Sequence, residues 1–465
     1  MRYDAVIVGG GIAGLSVAYE LQLRHVRCVL LERAPRPGGV ILSEEIDGFT
    51  IDAGPDSLLA QKPDGIRLCE EIGLGPALVP TKPPRLAYIQ RAGQLHPLPA
   101  SSVLGIPTQV GPFLATRLFS LRAKLRMAAE PFVPRRRDAA DESIGSFVTR
   151  RFGSEATTYL AEPLLAGIHA GDVNRLSIRS LFPRFVDTER THGSLLRAFR
   201  AAPRAASPDG AFRSLPGGLS QMIRALTLQL PADAIRLNTS VRRLSPGDAL
   251  QPFTIETDAG ARLTSRAVIL ATPAFVTSAL IRDVDAEVAR LCGEIPYAST
   301  ATVILGFRRA DIAHALNGSG FVVPRVENSG ILAGSWMSSK WPNRAPADAA
   351  LLRTFVGGAR DPRALENPDE ELVRRSLAAL RPLIGLRGAP ILTRVYRWDR
   401  STAQHEVGHA ARVAAIDQGL ARRPGVFVTG SGFRGVGIPD CIADGRATAR
   451  QVADYLGTPM GRPRH

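Results

Sequence analysis

The strongest constraint on how this chain folds lies in its first stretch, RYDAVIVGGGIAGLSVAYELQLRHVRCVLLE. Tyr3 to Val8 is a short apolar run without helical periodicity, as expected of a parallel strand buried on both faces. Gly9, Gly11 and Gly14 follow at once, Leu15 to Leu23 reads as a helix, and a second apolar run from Arg27 to Leu31 ends at Glu32. Strand, glycine turn, helix, strand and acid in that order make a dinucleotide-binding unit. The glycines let the backbone approach a pyrophosphate at the start of the helix, where free N–H groups and the dipole favour anions. Glu32 is placed to accept hydrogen bonds from ribose hydroxyls.

The same glycine spacing returns near the other end, as Gly430-x-Gly432-x-x-Gly435 in FVTGSGFRGVGIPDCIADGR. A second dinucleotide unit would need a helix and then another strand ending in an acid. Only thirty residues follow Gly435, a helix from Cys441 to Leu456 takes most of them, and the tail GTPMGRPRH supplies no strand. The second cluster is therefore expected to be a strand-to-helix turn that meets the far end of one long cofactor, with Gly435 and Gly437 close to it. Gly38-Gly39, just after Glu32, points the same way. A nicotinamide enzyme normally continues into another strand–helix crossover here, whereas glycines suit a second approach to the pyrophosphate and ribityl chain of FAD.

At 465 residues the chain is too long for one ordinary core, so two or three domains are expected, some discontinuous. The net charge of +15 comes from scattered arginines with no aromatic-interleaved basic motif, which argues against a nucleic-acid partner. Cys28, Cys69, Cys292 and Cys441 lie far apart, as in a reducing cytosol rather than a disulfide scaffold or zinc ribbon. The start runs straight into a strand with no signal peptide, and no apolar run reaches the length of a membrane span.

The interior divides by pattern. FRSLPGGLSQMIRALTLQL, IRLNTSVRRLSP and FTIETDAGARLTSRAVILATPA read as turn, helix, strand and hairpin returning to the cofactor domain. Residues near 100–205 read mainly as helices, and FLATRLFSLRAKLRMAAEPF carries Arg117, Arg122, Lys124 and Arg126 among apolar residues at helical spacing. That pattern fits either an anionic membrane surface or an ordinary surface helix. After Ala274 the runs ATVILGF, GFVVP, ILAGSWM, ALLRTFVGG and ILTRVYRW suggest an antiparallel sheet flooring a substrate chamber.

The stretch after Glu32 resembles the FAD-binding amine oxidase and phytoene desaturase superfamily. GSGFRGVGIPDCIADGR, AEPLLAGIHAGDVNRLS, SSKWPNRAPADAALLRTFVGGARDP and DGFTIDAGPDSLL resemble, more narrowly, the oxygen-dependent protoporphyrinogen and coproporphyrinogen oxidases, from about residue 4 to residue 456. The resemblance implies an α/β fold: a discontinuous Rossmann-type FAD domain (1–84, 208–274 and 408–458), a helical membrane-association domain (100–205) and an antiparallel-sheet substrate domain (85–99 and 275–407). It implies oxidation of protoporphyrinogen IX or coproporphyrinogen III by O2, with release of H2O2, in haem synthesis. Three rounds of hydride and proton removal take six electrons from the macrocycle. It extends the FAD contacts to Ile12, Ala13, Arg33, Val241, Val436 and Ile438, besides Gly9, Gly11, Gly14, Glu32, Gly38, Gly39, Gly430 and Gly437. It places the Gly167 carbonyl beside the macrocycle as an acceptor and Arg85 opposite a propionate, which a two-pronged guanidinium suits. A cytoplasmic enzyme, peripheral on the inner face of the cell membrane and in contact with other haem-pathway enzymes, is the expected setting. An amine oxidase or carotenoid desaturase would share the FAD end but lack the WPNRAP and PDC blocks.

His405-Glu406-Val407-Gly408-His409 is a literal H-E-x-x-H, the zinc-peptidase signature, which needs a helix to bring both histidines to one face. Gly408 inside that helix costs about 1 kcal/mol relative to Ala, WDRSTAQ before it is poor helix sequence, and no third ligand follows at a familiar spacing. The family resemblance puts a P-Q-Y-x-V-G-H element here, with Ala403 and His405 replacing its proline and tyrosine. No metal is expected, and the motif reads as an accident of that tyrosine-to-histidine replacement, with no step of hydride transfer asking His405 for chemistry. No other histidine pairs with a Ser or Cys nucleophile.

Overall fold

The apolar run after Met1 becomes the middle of a sheet. In the computed structural model, which describes residues 1–99, 102–103, 106–107, 109–138, 140–201, 209–248 and 250–457, Arg2–Val8 lies parallel to Cys28–Leu31 on one side and to Arg262–Leu270 on the other. Ile235–Arg236 extends the first edge. The other edge of Arg262–Leu270 has two partners. Its first half pairs antiparallel with Phe253–Thr257, part of a hairpin with Val241–Pro246, and its second half pairs parallel with Val426–Val428.

Register then decides where ligands can sit. Val8, Leu31, Leu270 and Val428 are aligned across the sheet, so Gly9, Glu32, Ala271 and Gly430 all leave it by the same edge. Open α/β sheets bind ligands at such carboxyl ends, where strand order reverses. Helix Ile12–Leu23 packs against helix Ile438–Leu456, with Leu15, Leu21, Ile442, Ala449 and Val452 in one core. Gly445 permits the close crossing, because an added β-carbon would stand 2.6 Å from the Ala13 carbonyl oxygen.

A second sheet of seven strands runs in the order Leu392–Ala403, Tyr297–Arg308, Ala349–Gly357, Ala333–Trp336, Gly320–Val322, Tyr88–Arg91, Gln94–Pro97. All neighbours are antiparallel except Gly320–Val322 with Tyr88–Arg91. Helix Asp369–Ile384 buries Leu372, Leu380 and Ile384 in a core with Val303, Leu305 and Trp336.

A third core gathers Leu118, Met127, Phe147, Phe152, Phe185 and Phe199 from short helices. The basic amphipathic stretch, read from sequence as one pattern, splits into Val110–Ala115 and Leu121–Ala128. Ser120 causes the restart: its hydroxyl accepts the Ala123 N–H at 3.2 Å and caps the second helix. Two of the four expected cations are tied down, Lys124 to the Leu114 carbonyl and Arg126 to those of Arg150 and Arg151. Arg117 and Arg122 stay exposed, as do Leu114, Leu121, Leu125 and Phe132. Among the described residues no helix is long and apolar enough to cross a membrane.

Candidate cofactor site

The first glycine turn is closed toward the protein and open on one side. Gly9 has φ 106°, in the left-handed region, and a β-carbon there would stand 2.5 Å from the Ala271 carbonyl oxygen. One at Gly14 would fall 2.0 Å from the Gly9 carbonyl oxygen, whereas one at Gly11 would meet nothing within 4 Å. The helix begins at Ile12 with Gly11 as its cap and no side-chain cap bond. The N–H groups of Ile12, Ala13 and Gly14 thus lack partners in the preceding turn of helix, the arrangement that receives a phosphate.

Glu32 is fixed by the turn it serves. Its Oε2 accepts the Gly10 N–H at 2.6 Å and its Oε1 accepts the Ala34 N–H at 2.8 Å. Gly38 donates its N–H to the Gly10 carbonyl at 2.7 Å, and a β-carbon at Gly39 would touch the Gly11 Cα at 3.4 Å. Turn, acid and second glycine pair form one hydrogen-bonded cradle. Arg33 is exposed beside it. Val241 begins a strand two residues after Thr239, whose N–H donates to the Glu32 carbonyl at 2.8 Å.

Sequence reasoning missed Arg36. Its guanidinium donates to the carbonyls of Pro37 (3.2 Å), Gly39 (2.7 Å) and Ile41 (3.1 Å), wrapping the loop around a positive charge. Burial pulls its pKa below the usual arginine value, against Glu32 and Glu44. An arginine between the acid at the strand end and a glycine pair was the available signal.

The second turn has the same spacing and a different build. Thr429 Oγ1 and the Gly430 N–H both donate to Asp444 Oδ2, at 2.6 and 3.1 Å. A β-carbon at Gly430 would lie 3.8 Å from that of Ala13, so this turn faces the start of the first helix. At Gly435 and Gly437 an added β-carbon would meet the Asp440 side chain, at 2.6 and 2.9 Å. Asp440 also accepts the Gly437 N–H at 3.3 Å and holds Lys62 Nζ at 2.7 and 2.6 Å. Val436 is half-buried and Ile438 buried.

Gly167 and Arg85 stand on other elements. Gly167 follows the wide-wound segment Thr157–Ala166, which contains Pro163, and its carbonyl accepts the Ala170 N–H at 3.0 Å. Arg85 is exposed and its Nε donates to the Thr81 carbonyl at 3.1 Å.

The H-E-x-x-H run does not form the helical turn the zinc motif requires. Gly408, at φ 88°, caps a helix that begins only at His409, so His405 lies outside it. The two rings stack 3.8 Å apart at 11°. His405 Nε2 stands 2.9 Å from the Ser431 carbonyl and His409 Nε2 2.9 Å from that of Phe433, so we assign the proton to Nε2 in both. Burial holds both imidazoles below the usual histidine range, His409 to about 3. Glu406 turns outward to Arg175 at 3.0 Å. His405 is buried, with a hydrogen bond and a stacked neighbour, so its place is structural.

Two of the sequence blocks meet in a buried ion cluster that no local pattern announced. Asp56 accepts Lys340 Nζ at 2.7 Å and Trp341 Nε1 at 2.9 Å and pairs with Arg353 at 3.2 Å. Asp52 pairs with Arg344 at 3.0 Å, both side chains fully buried. Burial alone would raise the Asp56 pKa, but Lys340 and Arg353 outweigh it and hold it well below the carboxylate range. The cluster joins the loop after strand Phe49–Asp52 to the second sheet.

Comparison with known proteins agrees with this geometry. The model of the flavin-containing amine oxidoreductases matches residues 12–453. The chain is 35% identical over 469 residues to a coproporphyrinogen III oxidase of Bacillus subtilis (strain 168), covering 98% of this chain and 99% of that one. It is 27% identical to the chloroplastic protoporphyrinogen oxidase of Nicotiana tabacum, covering 97% of this chain and 86% of that one. A crystal structure from Exiguobacterium sp. 255-15, named as a candidate protoporphyrinogen oxidase, superposes with a TM-score of 0.86 at 33% identity, covering 97% of this chain and 98% of that one.

Proposed function

Because the chain belongs to the flavin-containing amine oxidoreductase family, we propose that it is an FAD-dependent, oxygen-consuming porphyrinogen oxidase, with coproporphyrinogen III as its substrate. The observation that carries this reading is the cradle: Gly9 and Gly14 closed against backbone, Gly11 open, and Glu32 fixed at the strand end. The residues present fit FAD. Identity of 35% along the whole chain with a coproporphyrinogen III oxidase, against 27% with the plastid protoporphyrinogen oxidase, favours the coproporphyrin series.

FAD, when bound, supplies the hydride acceptor, and three O2 become three H2O2 as the macrocycle loses six electrons. The chain's own residues bind and orient. The Ile12–Gly14 N–H groups receive the pyrophosphate, and Glu32, whose oxygens keep free lone pairs, takes the ribose hydroxyls. Arg36 places positive charge beside the diphosphate. Arg85, of whose nitrogens only Nε is engaged among the described residues, by the Thr81 carbonyl, offers the other two to a propionate. The Gly167 carbonyl keeps one lone pair for a pyrrole N–H.

The exposed Leu114, Leu121, Leu125 and Phe132 beside Arg117 and Arg122 support peripheral attachment to an anionic membrane. Flotation with phosphatidylglycerol vesicles, lost on Leu121→Asp/Phe132→Asp, tests that attachment.

The functional test is turnover in air of coproporphyrinogen III and protoporphyrinogen IX by the purified yellow protein, read as product fluorescence. Faster turnover of protoporphyrinogen IX would overturn the substrate assignment, and a colourless protein inactive on both would overturn the reading itself.

A further inference from the structure

The segment Gln404–His409 lies outside the cradle, yet it is bonded on two sides. On one side stand residues 141–177. Gln404 Nε2 donates to the His169 carbonyl at 2.9 Å, the Ser177 N–H to the His405 carbonyl at 2.8 Å, and the Val407 N–H to the Arg175 carbonyl at 2.9 Å. The Gly408 N–H donates to Asp141 Oδ2 at 3.0 Å, and the same carboxylate accepts Ser177 Oγ at 2.8 Å. On the other side the two stacked rings reach the Ser431 and Phe433 carbonyls, which flank Gly432. Residues 169–177 continue directly from Gly167.

We propose that His405 and His409 are positioning residues: they hold the C-terminal glycine turn in register with the wall that runs from Gly167 to Ser177, and so set the flavin against the substrate. The inference rests on the reading that this turn lies at the flavin. Its physical basis is local. A turn with glycines at 430, 432, 435 and 437 has high backbone freedom, and two buried donors on fixed rings remove it. Neutral imidazoles supply those donors without burying a charge. The rings are aimed at the turn and not at their own satisfaction, since His409 Nδ1 is buried with no hydrogen-bond partner among the described residues.

The test uses the holoenzyme. His405→Phe and His409→Phe keep ring size and stacking and delete the donor, while His409→Gln returns an N–H near the Nε2 position. The readouts are the flavin absorption envelope, the flavin midpoint potential and the FAD dissociation constant, with Gly437→Val as an independent probe of the turn. We expect both Phe variants to shift the envelope and potential and to weaken FAD about tenfold, with His409→Gln recovering most of the loss. Should a Phe variant not fold, His405→Asn and His409→Asn, whose amides stop short of the carbonyls, are read in the same way. If Gly437→Val perturbs the flavin while the histidine variants leave envelope, potential and affinity unchanged, the positioning role is overturned and the turn assignment stands. If Gly437→Val also leaves them unchanged, both are overturned.

Discussion

The two glycine turns share a spacing and almost nothing else. At the first, helix Ile12–Leu23 starts immediately after Gly11, and the clash that forbids a β-carbon at Gly14 is with backbone, 2.0 Å away. At the second, helix Ile438–Leu456 starts only after Gly437, and the crowding at Gly435 comes from the Asp440 side chain, 2.6 Å away. Backbone cannot step aside, whereas a side chain can turn. The first turn is closed by backbone packed on backbone and by Glu32 and Gly38; the second is held by side chains, namely Asp444, Asp440 with Lys62, and the His405–His409 pair. A spacing motif therefore specifies a turn only together with the elements that flank it.

The largest effect should follow from Gly14→Ala. The new methyl group has no rotamer to adopt, so we expect a protein purified without flavin and destabilised by about 1–3 kcal/mol, checked by absorbance and thermal melting. Normal flavin content would break the distinction drawn between the turns. Glu32→Ala removes the acceptor for Gly10 and Ala34 as well as the one proposed for the ribose. A hydrogen bond to a charged group is worth about 1.5–3 kcal/mol, so FAD affinity should fall about tenfold or more in a folded protein; equilibrium dialysis reads it, and wild-type retention would remove Glu32 from the cradle.

Acid should act on the second turn. His409 is lowered to about 3 by burial first, then by His405 and Arg412, with the Phe433 hydrogen bond and Asp141 opposing. Its unfolded counterpart titrates near about 6.5. The unfolded chain therefore binds more protons in this interval, and the stability contributed by a neutral His409 falls as pH drops from about 6.5 toward 3. His409→Gln should flatten that part of a melting-temperature-against-pH curve; an unchanged slope would show that other groups carry it. Glu406→Gln should do least. The Arg175–Glu406 pair is largely solvated, with side-chain exposures of 65% and 22%, and such pairs contribute about 0–1 kcal/mol. Turnover should stay near wild type, and abolition of turnover with FAD retained would reopen a catalytic role for the motif.

The legible parts of the site were the contiguous ones. Gly9, Gly11, Gly14 and Glu32 could be assigned because strand, turn, helix and strand follow one another without interruption, and neighbours in sequence must then be neighbours in space. Ser120 was visible as a residue but not as a helix start, since the apolar spacing runs on through it. Arg36 was passed over because an arginine in a proline-rich loop looks like surface charge until its three carbonyl partners are seen. The place of His405 was not legible for the opposite reason: its neighbours in sequence match a metal motif, while its partners Ser431 and His409 are fixed only by the fold.

By itself the sequence determined the order strand, glycine turn, helix, strand and acid at the first turn, and the repeat of the same glycine spacing at the second. Both depend only on chain order. Tertiary structure decided the rest, because the partners lie far apart along the chain and meet only through sheet pairing. Alignment of Val8 with Leu270, and of Leu270 with Val428, brings Gly430 to Ala13. Folding of the second sheet carries Lys340 and Arg353 to Asp56. The return of the chain at Gly408 turns His405 and His409 toward Ser431 and Phe433, so that an apparent metal motif becomes two donors to backbone carbonyls.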